Sequence, residues 1–197
     1  MRRLIVDEFL SLDGVAQGPG GADEDRDGGF EHGGWHMEYQ DDVADKWVQE
    51  GLNEARGYLL GRRTYEIFAA YWPNAPKEEE STARPLNERP KYVVSSTLKT
   101  PLSWQNSSVL SGELVPAVRA LLQDGDGDLH IWGSTMLVPT LLQHGLVDEL
   151  RLMIDPVALG GGKRIFPQDG GLRAMRLVKS QLTSTGAILA NYQPMRA

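Results

Sequence analysis

Apolar residues along this chain switch between a short-run rhythm and a helical one. Leu4, Ile5, Val6, Phe9 and Leu10 crowd the start and predict a buried strand over residues 4–9, with Asp7 and Glu8 interrupting the run. Residues 14–34 lose all apolar period and are rich in Gly, Asp and Glu, which predicts a long loop. A loop of that length inside a folded domain is commonly a lid or a surface insertion, and both readings stand here. Val43, Trp47, Val48 and Leu52 then recur at helical spacing over residues 41–55, with acids in the first turn where the helix dipole favours them. Gly57-Tyr-Leu-Leu-Gly61 reads as a strand, and residues 62–72 as a helix with Tyr65, Phe68, Ala69 and Trp72 on one face. Residues 73–90 contain four prolines and the Glu78-Glu79-Glu80 run, so a surface connection is expected.

The second half repeats the alternation. Strands are expected over 91–95, 108–110, 129–132 and 146–154, and helices over 113–122 and from Gly133-Ser134 to about His144, with Gly145 as C-cap. Residues 175–185 and 188–192 read as a closing antiparallel pair. Strands alternating with helices imply an α/β fold: a mostly parallel central sheet covered on both faces, with an antiparallel C-terminal hairpin at its edge. No repeat and no linker divides the chain, so one domain over 1–197 is expected.

Charge and composition narrow the function. The 20 Lys and Arg are outnumbered by 27 Asp and Glu, for a net charge of −7. That balance disfavours nucleic acid and anionic membranes as partners and leaves a small molecule. With no Cys, thiolate chemistry and Cys-ligated metals are excluded. No apolar run reaches membrane-spanning length, and a cytoplasmic protein is expected. His32 and His36 have the i,i+4 spacing of a metal pair but no clear third ligand, so no metal site is expected.

Ligands of open α/β sheets bind beyond the carboxyl ends of the strands. Three such ends carry phosphate-friendly groups. Gly61-Arg62-Arg63-Thr64 joins a strand to a helix start, which offers free N–H groups, a hydroxyl and two guanidiniums. Ser95-Ser96 ends the next strand. Gly133-Ser134-Thr135 ends a later one, where glycine permits close backbone approach. Each alone reads more readily as a cap or a surface charge; together they point to a nucleotide. Asp13 follows the first strand beside the expected cleft and is either a catalytic acid or a turn residue before Gly14. Glu38, Asp41, Asp42 and Asp45 lie near a helix start, where acids ordinarily serve the dipole. Trp35 and Tyr39 can stack on a flat substrate or belong to the core.

Several segments in order, Phe9-Leu-Ser-Leu-Asp-Gly-Val15, Leu60-Gly-Arg-Arg-Thr-Tyr-Glu66, Trp132-Gly-Ser-Thr-Met-Leu-Val138, Leu146-Val-Asp-Glu-Leu-Arg-Leu152 and Pro156-Val-Ala-Leu-Gly-Gly-Gly-Lys-Arg-Ile-Phe166, resemble dihydrofolate reductase. The similarity is greatest to the C-terminal reductase domain of the bifunctional riboflavin-biosynthesis enzyme. The resemblance implies a three-layer dihydrofolate-reductase-like fold and NADPH as cofactor. On that pattern Gly61, Arg62, Arg63 and Thr64 cradle the phosphates, including the adenosine 2′-phosphate, and Ser95 and Ser96 assist at the adenosine end. Gly133, Ser134 and Thr135 hold the pyrophosphate, and Val15 and Ala16 lie against the nicotinamide. The implied activity is hydride transfer to a C=N or C=O bond of a pterin- or pyrimidine-like heterocycle, in a homodimer. The other class of function is a non-catalytic NADP(H)-binding or ligand-sensing protein on the same fold.

Overall fold

Strand β1 (Leu4–Ser11) is central, and its side chains alternate between two cores. Leu4, Val6 and Leu10 pack with Val118 and Leu122 of α4 (Leu114–Gln123) and with Val138 and Leu141 of α5 (Val138–Gln143). On the other face Phe9 meets a core built from α1 (Asp42–Glu54), α2 (Arg62–Tyr71) and α3 (Glu80–Glu88). The remaining strands are β2 (Gly57–Gly61), β3 (Lys91–Val94), β4 (Ser107–Leu110), β5 (Leu129–Trp132), β6 (Glu149–Asp155), β7 (Met175–Leu182) and β8 (Ile188–Pro194). They form one eight-stranded sheet in the order β4-β3-β2-β5-β1-β6-β8-β7. Every pairing from β4 to β6 is parallel, and the last two strands are antiparallel. The computed structural model describes residues 1–195.

Neither acid of β1 breaks the strand; both are buried within it. Asp7 accepts from Arg151 Nη1 at 2.7 Å through one oxygen and lies 2.6 Å from His130 Nδ1 through the other. Arg151 also donates to the carbonyl of Trp47 at 2.8 Å, so the network ties β1, β5 and β6 to α1. Gly51 of α1 has no room for a side chain, because a Cβ there would collide with the Arg151 guanidinium and Asp7.

Asp41 is the N-cap of α1. Its Oδ1 accepts from the Ala44 N–H at 2.8 Å, while Oδ2 accepts from the Ser184 N–H at 2.6 Å and hydroxyl at 2.7 Å, pinning the β7–β8 turn to the helix. These bonds, the Ala44 one foremost, hold its carboxyl below the usual range.

Three elements depart from the sequence expectation. Residues 73–90 contain α3, with Pro85 inside it. The helix survives because Ala83 and Leu86 are buried and Lys91 caps its end, donating to the carbonyls of Leu86 (2.7 Å), Asn87 (3.1 Å) and Arg89 (2.9 Å). The helix expected from Gly133 starts only at Val138, since Gly133 (φ 65°) and Ser134 (φ 61°) are left-handed and form a turn. The strand expected from Leu146 starts at Glu149, because Leu146 and Val147 pack into the α5-side core first.

Candidate functional site

β2 and β5 pair through only two positions, Gly57 with Leu129 and Tyr58 with His130. Toward their carboxyl ends they separate, at the place where the chain's strand order reverses direction. Two side-chain hydroxyls span the gap. The Gly61 N–H donates to Ser134 Oγ at 3.0 Å, and the Ser134 N–H donates to Thr64 Oγ1 at 3.0 Å. Both hydroxyls accept in these bonds, so their own protons stay available to a ligand oxygen. The start of α2 has no side-chain cap, which leaves its first N–H groups open beside them. Gly61, Thr64, Gly133 and Ser134 therefore converge, and Thr135 follows in the same turn.

The cations around this crevice are already engaged. Arg62 forms a two-pronged contact with Glu66 on the exposed surface of α2, at 3.0 and 2.9 Å. Arg63 reaches instead to Asp25 and Asp27 of the 14–34 loop, at 3.0 Å each. Ser95 closes its own turn by accepting from the Thr97 and Leu98 N–H groups at 3.1 and 3.0 Å, and Ser96 is exposed.

The 14–34 loop is folded down against the Gly160–Lys163 segment. Val15 bridges Arg164, and the Ala16 N–H donates to the Lys163 carbonyl at 2.9 Å. Gln17 is the hub: its amide donates to the carbonyls of Asp25 (3.1 Å) and Asp27 (2.9 Å) and accepts from the Lys163 N–H at 3.0 Å. Val15 is fully buried with Phe30 and Trp35, so this wall is covered in the present conformation. A cavity of about 610 Å³ lies between Gln17, residues 27–32 and residues 159–163.

Asp13 is placed as an anchor. It accepts from the Ser11 hydroxyl (2.7 Å) and from the N–H groups of Leu159 (3.0 Å) and Gly160 (2.9 Å). Those bonds, led by Ser11, hold the carboxyl down to about 2, so it is ionised and committed to fastening two loops. Trp35 is likewise fixed: its indole N–H donates to the Gln17 carbonyl at 2.8 Å and its ring is buried in the loop. Tyr39 packs on the α1-side core, and its carbonyl accepts from the Thr185 hydroxyl at 2.7 Å.

A second group of buried rings and polar side chains lies at the carboxyl ends of β1, β5 and β6. His36, 3% exposed, stacks on Phe9 with ring centroids 3.9 Å apart, and its Nδ1 lies 2.8 Å from Oδ2 of the buried Asp155. Burial pushes the Asp155 carboxyl up, against the opposing pull of His36, and its Oδ1 has no hydrogen-bond partner. Phe9 also sits 6.1 Å from Trp132 and 6.2 Å from Trp47, whose indole N–H groups are buried without partners. A line of rings thus runs from the Gly133 turn across β5 and β1 to the end of β6. Glu8, on the opposite face of β1, is buried, and its desolvation, with Glu24 and Asp7 nearby, raises its carboxyl well above the usual range. The sequence signal for these groups was the pair of acids in an apolar strand and a histidine after Trp35. Among the described residues no cluster of three or more His, Asp or Glu is arranged to hold a metal, and no helix is long and apolar enough to cross a membrane.

Comparison with known proteins agrees with this architecture. The chain is 27% identical to the uncharacterized protein YyaP of Bacillus subtilis strain 168, over 97% of this chain and 94% of that one. Its fold is shared with a protein of Shewanella sp. PV-4 named for riboflavin biosynthesis (TM-score 0.75, 21% identity, 98% and 99% of the two chains). It is shared too with dihydrofolate reductase from Enterococcus faecalis complexed with NADP(H) (TM-score 0.61, 15% identity, 98% and 96%). Residues 2–189 match the family described as the RibD C-terminal domain, and the chain belongs to that family.

Proposed function

We propose that this protein is a reductase that uses NADPH to reduce a C=N or C=O bond of a small pterin- or pyrimidine-like heterocycle. The observation that carries the reading is the β2–β5 crevice, where an uncapped helix start bearing Arg62, Arg63 and Thr64 faces the left-handed Gly133–Ser134 turn. Free N–H groups, two hydroxyls and two guanidiniums suit a dinucleotide with an extra phosphate. Thr64, Gly133, Ser134 and Thr135 bind the diphosphate, the two arginines take the 2′-phosphate, and Ser95 and Ser96 flank the adenosine. The exposed Arg62–Glu66 pair contributes little stability and yields readily to a phosphate. Val15 and Ala16 form the wall for the nicotinamide. The fold shared with an NADP(H)-bound dihydrofolate reductase supports the same choice of cofactor.

Bound NADPH supplies the hydride. On the α1 face, Phe9, Trp47 and Trp132 offer an aromatic wall to a flat ring. His36, oriented by Asp155, is the proton source for the heteroatom of the reduced bond. The exposed edge strand β7, with Leu177 and Val178 half exposed and Leu182 71% exposed, is the face through which two copies associate.

Titration of NADPH and NADH tests the reading. NADPH should bind on the order of tenfold more tightly or better, the worth of a charge-assisted bond, and Arg62→Ala with Arg63→Ala should erase the difference. Turnover is then followed with dihydrofolate and an aminopyrimidine. No NADPH binding overturns the assignment, and binding without turnover on any heterocycle moves the protein to a sensing role.

A further inference from the structure

Lys163 and Arg63 lie a hundred residues apart in sequence, yet they grip the same two carboxylates. Asp25 offers Oδ1 to Arg63 Nη2 at 3.0 Å and Oδ2 to Lys163 Nζ at 2.7 Å. Asp27 offers a single oxygen, Oδ2, to both cations, at 3.0 Å from Arg63 Nη1 and 2.9 Å from Lys163 Nζ. Asp25 and Lys163 are largely buried, with side chains 12% and 17% exposed. An ordinary surface ion pair is neither shared in this way nor withdrawn from water.

The position of the four groups matters as much as their charge. Arg63 stands in the first turn of α2, whose N–H groups have no side-chain cap, next to the hydroxyl-spanned crevice. Lys163 and Asp27 both line the 610 Å³ cavity, a volume in the range of ligand pockets. Gln17 fixes the backbone of Asp25 and Asp27 and of Lys163 at once, so the acids are held toward the cations. Two carboxylates side by side present to two cations the charge and oxygens that a phosphate would present.

We propose that Arg63 and Lys163 form a phosphate cradle which the 14–34 loop fills with its own Asp25 and Asp27, and which a phosphate group of a dinucleotide fills in their place. This rests on the cofactor reading above for the identity of the ligand, not for the existence of the cradle. The loop carboxylates compete with the ligand, so the apparent affinity is the intrinsic affinity reduced by the fraction of molecules with an emptied cradle. Lys163 is thereby a ligand-binding residue, supplied from the far side of the cleft by the segment that Asp13 fastens.

The test is calorimetric titration of the full chain with NADPH and, separately, with inorganic pyrophosphate. The parent is compared with the Asp25→Asn, Asp27→Asn double variant and with Lys163→Met. Removing the internal anions should tighten both ligands by about tenfold, a typical coupling between competing contacts. Lys163→Met should weaken both. Hydrogen exchange of residues 18–34 without ligand should speed up in the double variant, which checks that the carboxylates hold the loop down. Unchanged or weaker affinity for both ligands in a folded double variant overturns the cradle. If pyrophosphate tightens while NADPH binds to none of the proteins, the cradle stands and the cofactor reading falls. If NADPH binds equally to all three, the cofactor reading stands and the cradle falls.

Discussion

His36 Nδ1 and Asp155 Oδ2 lie 2.8 Å apart, inside a site where water barely reaches either group. Asp155 ends β6 and pairs in register with Ser11 at the end of β1, so the two residues meet at the carboxyl edge of the sheet, one ring away from Trp132. The Asp155 side chain fixes the ring's orientation. His36→Gln should lower kcat/KM by about 100-fold while NADPH affinity holds, the usual worth of a general acid. Asp155→Asn should lower it less. Parent-like kcat/KM in His36→Gln removes the proton role.

Glu8 should make stability depend on pH in an identifiable direction. Burial raises its folded-state pKa above the ordinary glutamate value, so between those two pH values the folded protein binds more protons than the unfolded one. Stability from this group is therefore undiminished at low pH and falls as pH rises through that window. Glu8→Gln removes the titration. Its Tm relative to the parent should climb from pH 4 to pH 8, and a constant offset across the series would exclude the buried acid as the cause.

Lys91 is an ammonium among three carbonyls, with its Nζ 4.3 Å from the ring centre of Trp104. Lys91→Met keeps the stem and leaves the carbonyls of Leu86 and Arg89 without the Lys91 donor, while Asn87 keeps its bond from Asn106. Unfolding in urea should show a loss of roughly 1–3 kcal/mol, the cost of buried polar groups left unpaired. The melt of α3, with its internal Pro85, should show the loss first in hydrogen exchange.

Association through β7 predicts a dimer by light scattering at micromolar concentration. Leu177→Lys with Leu182→Lys should yield monomers of unchanged fold, since both side chains are exposed. A monomeric parent, or a dimer indifferent to both changes, rules out this edge.

What could be read from the chain depended on how local the cause was. Strands β2 and β5 keep the bounds that their apolar runs imply, and α1 starts after the capping acid that sequence supplies. The start of α5 was not readable, because Ser134 serves Gly61 across the sheet instead of capping its own helix. Asp7 and Glu8 interrupt the apolar pattern, and the partners that make Asp7 a core residue, His130 and Arg151, become neighbours only once β5 and β6 flank β1. The convergence of Gly61, Thr64, Gly133 and Ser134 was legible because these glycines and hydroxyls sit at strand ends, each glycine within a few residues of its hydroxyl. The His36–Asp155 contact was not, since a turn residue meets the end of β6 only once the chain is folded.

The separation of β2 from β5 has a mechanical side. Along most of a sheet the spacing of neighbouring strands is set by main-chain bonds and is nearly fixed at about 4.8 Å. Above Tyr58 and His130 that ruler is absent, and the gauge of the crevice is set by two hydroxyl clasps, Thr64 and Ser134, on either bank. Side-chain clasps stretch, rotate and re-form without shifting any strand register. The molecule thus has a jaw closed by side chains, while its base, at Gly57 and Leu129, is bolted to the rest of the sheet.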